Sequence, residues 1–134
     1  MTYYLAKTDP ETYSVEDFER EGRTVWDGVK NPQALRAIKA MKPGDRVFIY
    51  HSMGEAAVMG IAKVVSEPRL DPKQSKLTVV DLEFLRRLRT PVTLREIKES
   101  GKFNDWALVR QSRLSTMPAP IEFVDWLKTR GEKL

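Results

Sequence analysis

Cysteine is absent from this sequence, and histidine occurs only once, at position 51. Without cysteine the chain has no disulfide bonds, no thiolate zinc sites and no cysteine nucleophile, and its composition suits a reducing compartment. A single histidine also leaves no HExxH motif and no cluster of histidine and carboxylate ligands. We therefore expect neither a metal site nor a cofactor.

Motifs that bind nucleotide cofactors or activate a serine are missing as well. The sequence has no GxGxxG motif and no P-loop, and no serine stands in a nucleophile elbow to pair with His51. A pair of carboxylates working as acid and base has no suggestive spacing, although sequence alone leaves that arrangement open. We expect a protein that is not an enzyme.

Long apolar runs are also missing. No stretch approaches the roughly 18 apolar residues that a membrane span requires, and residues 1–7 lack the apolar run of a signal peptide. No repeat, low-complexity tract or linker divides the chain. We expect one soluble, cytoplasmic domain over residues 1–134, monomeric and without contact to a membrane.

The sequence does contain a modest excess of basic residues. Lysine and arginine number 23 against 19 aspartate and glutamate residues, for a net charge of +4. A basic balance favours an anionic partner such as nucleic acid. A charge of this size also serves solubility alone, so the indication is mild.

Strand and helix signals alternate along the chain. Residues 3–6, 46–51, 57–65 and 77–85 are predicted strands, with Gly60 marking a bulge or a close backbone approach, and residues 111–117 are predicted to be extended. Short helices are predicted after Ser14, Asn31 and Thr93 and over about 119–129. The spacing does not suit βαβ units. We expect an α+β fold with a small β-barrel or curved, mostly antiparallel sheet decorated by short helices.

Polar residues next to an aromatic or basic side chain occur in four segments, each at the end of a predicted element. Such segments would together form a concave site with one stacking surface and a few directional hydrogen bonds. They are Lys7–Pro10 (KTDP), Trp26–Asn31 (WDGVKN), Tyr50–Ser52 (YHS) and Arg113–Ser115 (RLS).

In their order and spacing these segments resemble the EVE domain family. Residues 41–45, 71–72, 91–94 and 108–110 also look like the family, so the resemblance covers nearly the whole chain. It implies a PUA-like fold related to YTH domains, which hold methylated adenine in an aromatic cage. EVE domains are associated with modified cytosine in DNA, and the wider PUA group with RNA.

The resemblance implies a non-catalytic module that accepts a flipped, modified nucleobase of DNA or RNA, such as a 5-substituted cytosine, beside Trp26. One alternative is a PUA-like RNA-binding module without specificity for a modification. Another is a protein or enzyme that acts on a nucleoside or other small molecule. The first would show a preference for modified bases, the second a steep salt dependence, and the third saturable binding or turnover of a free small molecule.

The same resemblance assigns roles to individual residues, each beside a structural alternative. Trp26 would be the stacking wall or else a core tryptophan, and Val29 belongs to the same segment. Asn31 would bind a base edge or cap a helix. His51 and Ser52 would lie at the pocket mouth, or His51 would be a buried histidine with satisfied hydrogen bonds.

The remaining roles concern the opposite wall, the floor and the rim of the pocket. Lys7 and Thr8 would form that wall. Arg113 would pair with a phosphate or with a carboxylate such as Asp27. Leu114 and Ser115 would close the floor or be ordinary strand residues. A further set of basic residues would form a phosphate-facing surface or simply a solvated face, and its members are Arg86, Arg87, Arg89, Arg95 and Lys98.

Two positions depart from the family pattern. Leu77 and Pro32 stand where the family often has an aromatic residue. If the aromatic at the first position forms the second wall of the cage, stacking here would be one-sided. We expect modest discrimination between modified and plain bases, and better binding to single strands than to intact duplex.

Overall fold

The structure is a computed structural model that describes residues 1–134. It contains seven strands and five helices in mixed order. Its elements are β1 (Tyr3–Thr8), α1 (Val15–Glu21), β2 (Arg23–Trp26), α2 (Pro32–Ala40), β3 (Arg46–His51), β4 (Ala57–Val64), β5 (Arg69–Leu70), β6 (Thr78–Thr93), α3 (Leu94–Glu99), α4 (Ala107–Arg110), β7 (Thr116–Pro118) and α5 (Ile121–Thr129).

All seven strands belong to one sheet. Six of them follow the order β2-β6-β4-β3-β1-β7, and β5 pairs with β6. Only the β1–β3 pair is parallel, and the other five pairs are antiparallel. The sheet is curled into a half-barrel, and it does not close because its edge strands, β2 and β7, do not pair with each other. The expected α+β class with a curved, mostly antiparallel sheet is confirmed.

Helix starts follow the predicted caps. The Ser14 hydroxyl accepts a hydrogen bond from the Asp17 N–H and the Asp17 carboxylate accepts one from the Ser14 N–H, a capping box that opens α1. Thr93 and Glu96 repeat this arrangement at α3. These contacts satisfy N–H groups that have no partner inside the helix.

The glycine within β4 is both a bulge and a close approach, as predicted. The register of β4 against β6 shifts between Val58 and Gly60. A Cβ atom at position 60 would lie 2.9 Å from the Arg86 carbonyl oxygen, closer than atoms normally approach. Glycine therefore allows the two strands to pair across the bulge.

Several elements differ from the prediction. β6 continues to Thr93 and does not end near residue 85, because its second half pairs with β4 as far as Ala57. The predicted extended segment 111–117 is mostly irregular, since only residues 116–118 pair with β1. The short elements β2, β5 and α4 were not predicted either. Edge strands and single helical turns carry too few residues for a clear periodic pattern.

Candidate functional site

A cavity of about 520 Å³ lies where the carboxyl ends of β1 and β2 meet. We call it the Trp26 cavity. Five of the predicted site residues line it, namely Lys7, Thr8, Trp26, Val29 and Ser115. The other residues of its lining are Thr12, Tyr13, Glu21, Thr24, Val25, Asp27, Gly28 and Lys30.

Trp26 belongs to the core and to the cavity at once. Its side chain is only 8% exposed, and its ring centroid lies 6.1 Å from that of Phe18. The remaining exposed part of the ring faces the Trp26 cavity. The indole is therefore not sealed inside the apolar interior, and a flat heterocycle has an opening beside it.

Tyr13 is the second aromatic wall, and the sequence did not identify it. Its ring centroid lies 6.3 Å from that of Trp26, and the two rings are 75° apart. A base lying flat on Trp26 would therefore meet Tyr13 with its edge and not with its face. The clue in the sequence was an aromatic residue between the KTDP segment and the capping Ser14.

A hydrogen bond holds the Tyr13 ring in this orientation. Its hydroxyl donates to the Glu21 Oε1 atom at 2.7 Å. Burial and the bond to Glu21 raise the pKa of Tyr13 to about 12. The phenol stays protonated at neutral pH and serves as a fixed wall.

Lys7 brings a positive charge to the opposite side of the cavity. Its ammonium Nζ donates to the Ser112 carbonyl oxygen at 3.0 Å and lies 5.5 Å from the centroid of the Tyr50 ring. No carboxylate pairs with it, and burial lowers the pKa of Lys7. An anionic or electron-rich group in the cavity would find a partly desolvated cation that no carboxylate neutralises.

Backbone contacts assemble the rest of this wall. The Thr8 hydroxyl donates to the Tyr13 carbonyl oxygen at 2.7 Å, and the Lys7 N–H donates to the Ser115 carbonyl oxygen at 2.8 Å. Val29 is 8% exposed and adds an apolar surface after Trp26. The first, second and fourth of the four sequence segments therefore meet at one place.

His51 has a structural contact and does not line the cavity. Its ring is buried, and its Nε2 atom accepts a hydrogen bond from the Val15 N–H at 3.0 Å, which ties β3 to the start of α1. Burial lowers the pKa of His51, with a smaller opposing effect from Glu16 and a contribution in the same direction from Arg87. This is the buried, hydrogen-bonded histidine that the sequence left as an alternative.

Four more of the predicted residues lie outside the lining. The Asn31 side-chain oxygen accepts from the N–H groups of residues 33 and 34 and so caps α2. Leu114 is buried in the core at 4% exposure. Ser52 bonds to the Thr8 carbonyl oxygen, and Arg113 is exposed and makes no salt bridge, not even to Asp27.

The two positions that depart from the family pattern also lie outside the cavity. Leu77 is buried in the core and Pro32 is the exposed first residue of α2. Neither residue lines the cavity, so an aromatic side chain is not missing from its walls on their account. Tyr13 supplies the second aromatic side chain.

Arginines of β6 do not surround the cavity. Trp26 pairs with Val80, and Arg86 lies six residues further along β6, about 20 Å away at the usual rise of a strand. Arg87 is paired with Glu16 and Glu19. The cations that line the cavity are instead Lys7 and Lys30, and the exposed Arg113 stands two residues before Ser115, which also lines it.

Neither a metal site nor a membrane helix is found in this structure. No three or more histidine, cysteine, aspartate or glutamate side chains come together in a way that would hold an ion. No helix combines the length and apolar character that crossing a membrane requires.

Comparisons with known proteins agree on one family. A family model described as the EVE domain matches residues 2–129. Human thymocyte nuclear protein 1 is 29% identical to this chain in an alignment of 168 positions, which covers 98% of this chain and 75% of that protein.

Two solved structures show the same fold. An NMR structure of a Rhodopseudomonas palustris protein has a TM-score of 0.91 at 34% identity, covering 98% of this chain and 93% of the other. The crystal structure of human THYN1 in complex with DNA containing 5-methylcytosine has a TM-score of 0.88 at 26% identity, covering 100% of this chain and 99% of the other.

Proposed function

The chain belongs to the EVE domain family, and from this premise we propose that it is a non-catalytic nucleic-acid-binding domain with a PUA-like fold. The Trp26 cavity accepts a single nucleobase that has left its strand, and a modified cytosine is the favoured base. The observation that carries the proposal is an indole whose exposed part opens onto a polar cavity. A relative of the same fold in complex with 5-methylcytosine DNA supports the choice of ligand.

The arrangement of the cavity suits an aromatic heterocycle better than a chemical reaction. Trp26 offers a face for stacking, and Tyr13 offers a perpendicular wall against the edge of the stacked ring. Lys7 offers a donor to base carbonyl or ring nitrogen atoms. His51, the side chain most suited to proton transfer at neutral pH, is committed to the Val15 N–H away from this cavity.

The strand must reach the cavity along a surface that bears cations. Lys30 lines the cavity, and Arg113 lies two residues from Ser115, which also lines it. Both side chains are exposed and neither makes a salt bridge. We assign to them the phosphates on either side of the bound base, in place of the distant arginines of β6.

A binding screen tests the proposed function. Single-stranded DNA and RNA oligomers, each with one 5-methylcytosine or one plain cytosine, are titrated and followed by fluorescence anisotropy. Burial of one methyl group contributes about 0.8 kcal/mol, so the modified strand is expected to bind about fourfold more tightly. Equal affinity for plain and modified RNA would favour an RNA-binding module without modification specificity. Binding of the free nucleoside alone would favour a small-molecule protein.

Charge reversal tests the path of the strand. Lys30→Glu and Arg113→Glu are each expected to weaken binding severalfold at low salt and to reduce the slope of log affinity against log salt by about 0.7, the value for one phosphate on a single strand. Arg86→Glu is the matched control, because Arg86 is also exposed and makes no salt bridge but lies far from the cavity. An equal loss in all three variants would show that only net charge matters.

A monomeric state and a cytoplasmic location remain predictions from the sequence. Size-exclusion chromatography with light scattering measures the first directly.

A further inference from the structure

The loop between β3 and β4, residues 52–56, carries an exposed methionine next in the chain to Ser52, which bonds to a residue that lines the Trp26 cavity. Met53 is 57% exposed, although methionine side chains are usually buried. The loop has no lysine or arginine, and its one charged side chain is the exposed carboxylate of Glu55. Attraction to phosphate does not account for this loop.

The start of the loop is tied to the cavity wall. The N–H of Ser52 donates to the carbonyl oxygen of Thr8 at 3.0 Å, and the Ser52 hydroxyl bonds to the same oxygen at 3.3 Å. Thr8 lines the Trp26 cavity. Met53 is the next residue after Ser52, and consecutive Cα atoms are about 3.8 Å apart. The Met53 Cα atom is therefore one residue away from the point where the loop is bonded to the cavity wall.

The loop presents Met53 at a tip. Gly54 has a φ of 69°, a backbone conformation that residues with a side chain rarely adopt, so the chain turns immediately after Met53. No atom lies within 4 Å of the position that a Cβ of Gly54 would occupy. Space is therefore open around the tip for an approaching strand.

We propose that Met53 is a wedge that fills the gap left in a duplex when a base turns out into the Trp26 cavity. Extruding a base breaks its stacking and pairing, and apolar side chains such as methionine are suited to occupy the vacated step. The unbranched thioether chain adapts to an irregular gap. This inference rests on the proposed function and adds to it how the domain would take a base from double-stranded DNA.

Another exposed apolar residue near the cavity fits this role less well. Val25 is 45% exposed and lines the cavity, but it lies within β2, paired with Asp81. Its short, branched side chain cannot leave the strand surface. Met53 has three rotatable side-chain bonds and stands on a turn.

The test compares duplex with single strand. One oligomer with a central 5-methylcytosine is titrated alone and annealed to its complement, with wild type, Met53→Ala and Met53→Leu. Met53→Ala is expected to lose about tenfold in duplex affinity, since a buried apolar side chain is truncated, and to bind the single strand within about twofold of wild type. Met53→Leu keeps most of the duplex affinity because it remains an apolar wedge.

Ile121→Ala is the matched control. Ile121 is 56% exposed, nearly the same as Met53. The cavity residue Ser115 precedes β7, whereas Ile121 follows the other end of that strand, so Ile121 lies away from the cavity. It is expected to leave both affinities unchanged. The salt dependence of Met53→Ala should equal that of wild type, because no charge has been removed.

Other results would overturn the wedge. Equal duplex affinity of Met53→Ala and wild type, or an equal loss on duplex and single strand, would show that Met53 fills no gap. A wild-type protein that binds the single strand but not the duplex would also refute it while leaving the proposed function intact. Failure of the wild type to bind either form would refute the proposed function itself.

Discussion

Replacement of Trp26 by alanine is expected to weaken binding of a single strand containing 5-methylcytosine by about 5- to 150-fold. Stacking of one base on an aromatic side chain contributes about 1–3 kcal/mol, and each 1.4 kcal/mol is about tenfold in affinity. Trp26 lines its cavity, and the ring of Tyr13 is tilted 75° from the indole, so Tyr13 does not offer a second parallel face. Stacking lost at position 26 therefore has no substitute.

The alanine variant also loses stability, because Trp26 packs against Phe18 in the core. Truncation of a buried tryptophan costs about 3–5 kcal/mol. Trp26→Leu keeps an apolar side chain at this position while removing the aromatic face. We expect it to fold and to lose nearly as much affinity as the alanine variant.

Trp126→Leu is the control for removal of an indole. Trp126 is half-buried on α5 and lies under the Arg130 guanidinium, 4.9 Å from the ring centroid, away from the cavity. Its binding curve should match wild type, as measured by fluorescence anisotropy after circular dichroism has shown that each variant is folded. A folded Trp26→Leu with wild-type affinity would exclude the stacking role.

His51 is expected to make the domain less stable as the pH falls below about 6.5. The ordinary pKa of histidine is 6.5, and burial lowers the pKa of His51 in the folded protein. Between the two values the unfolded chain binds the proton and the folded chain does not, so the free energy of unfolding decreases as the pH falls. Above pH 6.5 both states are neutral and this effect vanishes.

The physical reason lies in one hydrogen bond. The Nε2 atom accepts from the buried Val15 N–H only while it carries no proton. The chain has a single histidine, so no other histidine titrates in this range. The nearby Glu16 has a pKa lowered chiefly by a backbone hydrogen bond, and carboxylates in general titrate at lower pH. A loss of stability between pH 6.5 and about 5 is therefore assigned to His51.

Variants separate the hydrogen bond from the charge. His51→Ala leaves the Val15 N–H buried without an acceptor and is expected to cost about 1–3 kcal/mol at pH 7.5. His51→Gln retains an amide oxygen as acceptor and should abolish the pH dependence in this window. Urea denaturation from pH 5 to 8 measures both effects, and parallel pH curves for wild type and His51→Gln would contradict the assignment.

Local chemistry made several elements predictable from sequence. The capping residues Ser14, Asn31 and Thr93 act on N–H groups at most three residues away, so the helix starts were visible in the sequence. The bulge at Gly60 was predictable because glycine within a strand rarely has another purpose. The EVE resemblance came from short segments read in order.

The sequence by itself therefore determined the three capped helix starts, the class of sheet and the membership of the family. Only the tertiary structure decided which side chains share a cavity, since Lys7 reaches Ser112 across 105 residues and His51 reaches Val15 across 36. It showed Tyr13 to be the second aromatic wall and placed the arginines of β6 at a distance. The reason is physical: caps and turns depend on neighbours within one helical turn, whereas a cavity depends on the register of strands distant in sequence.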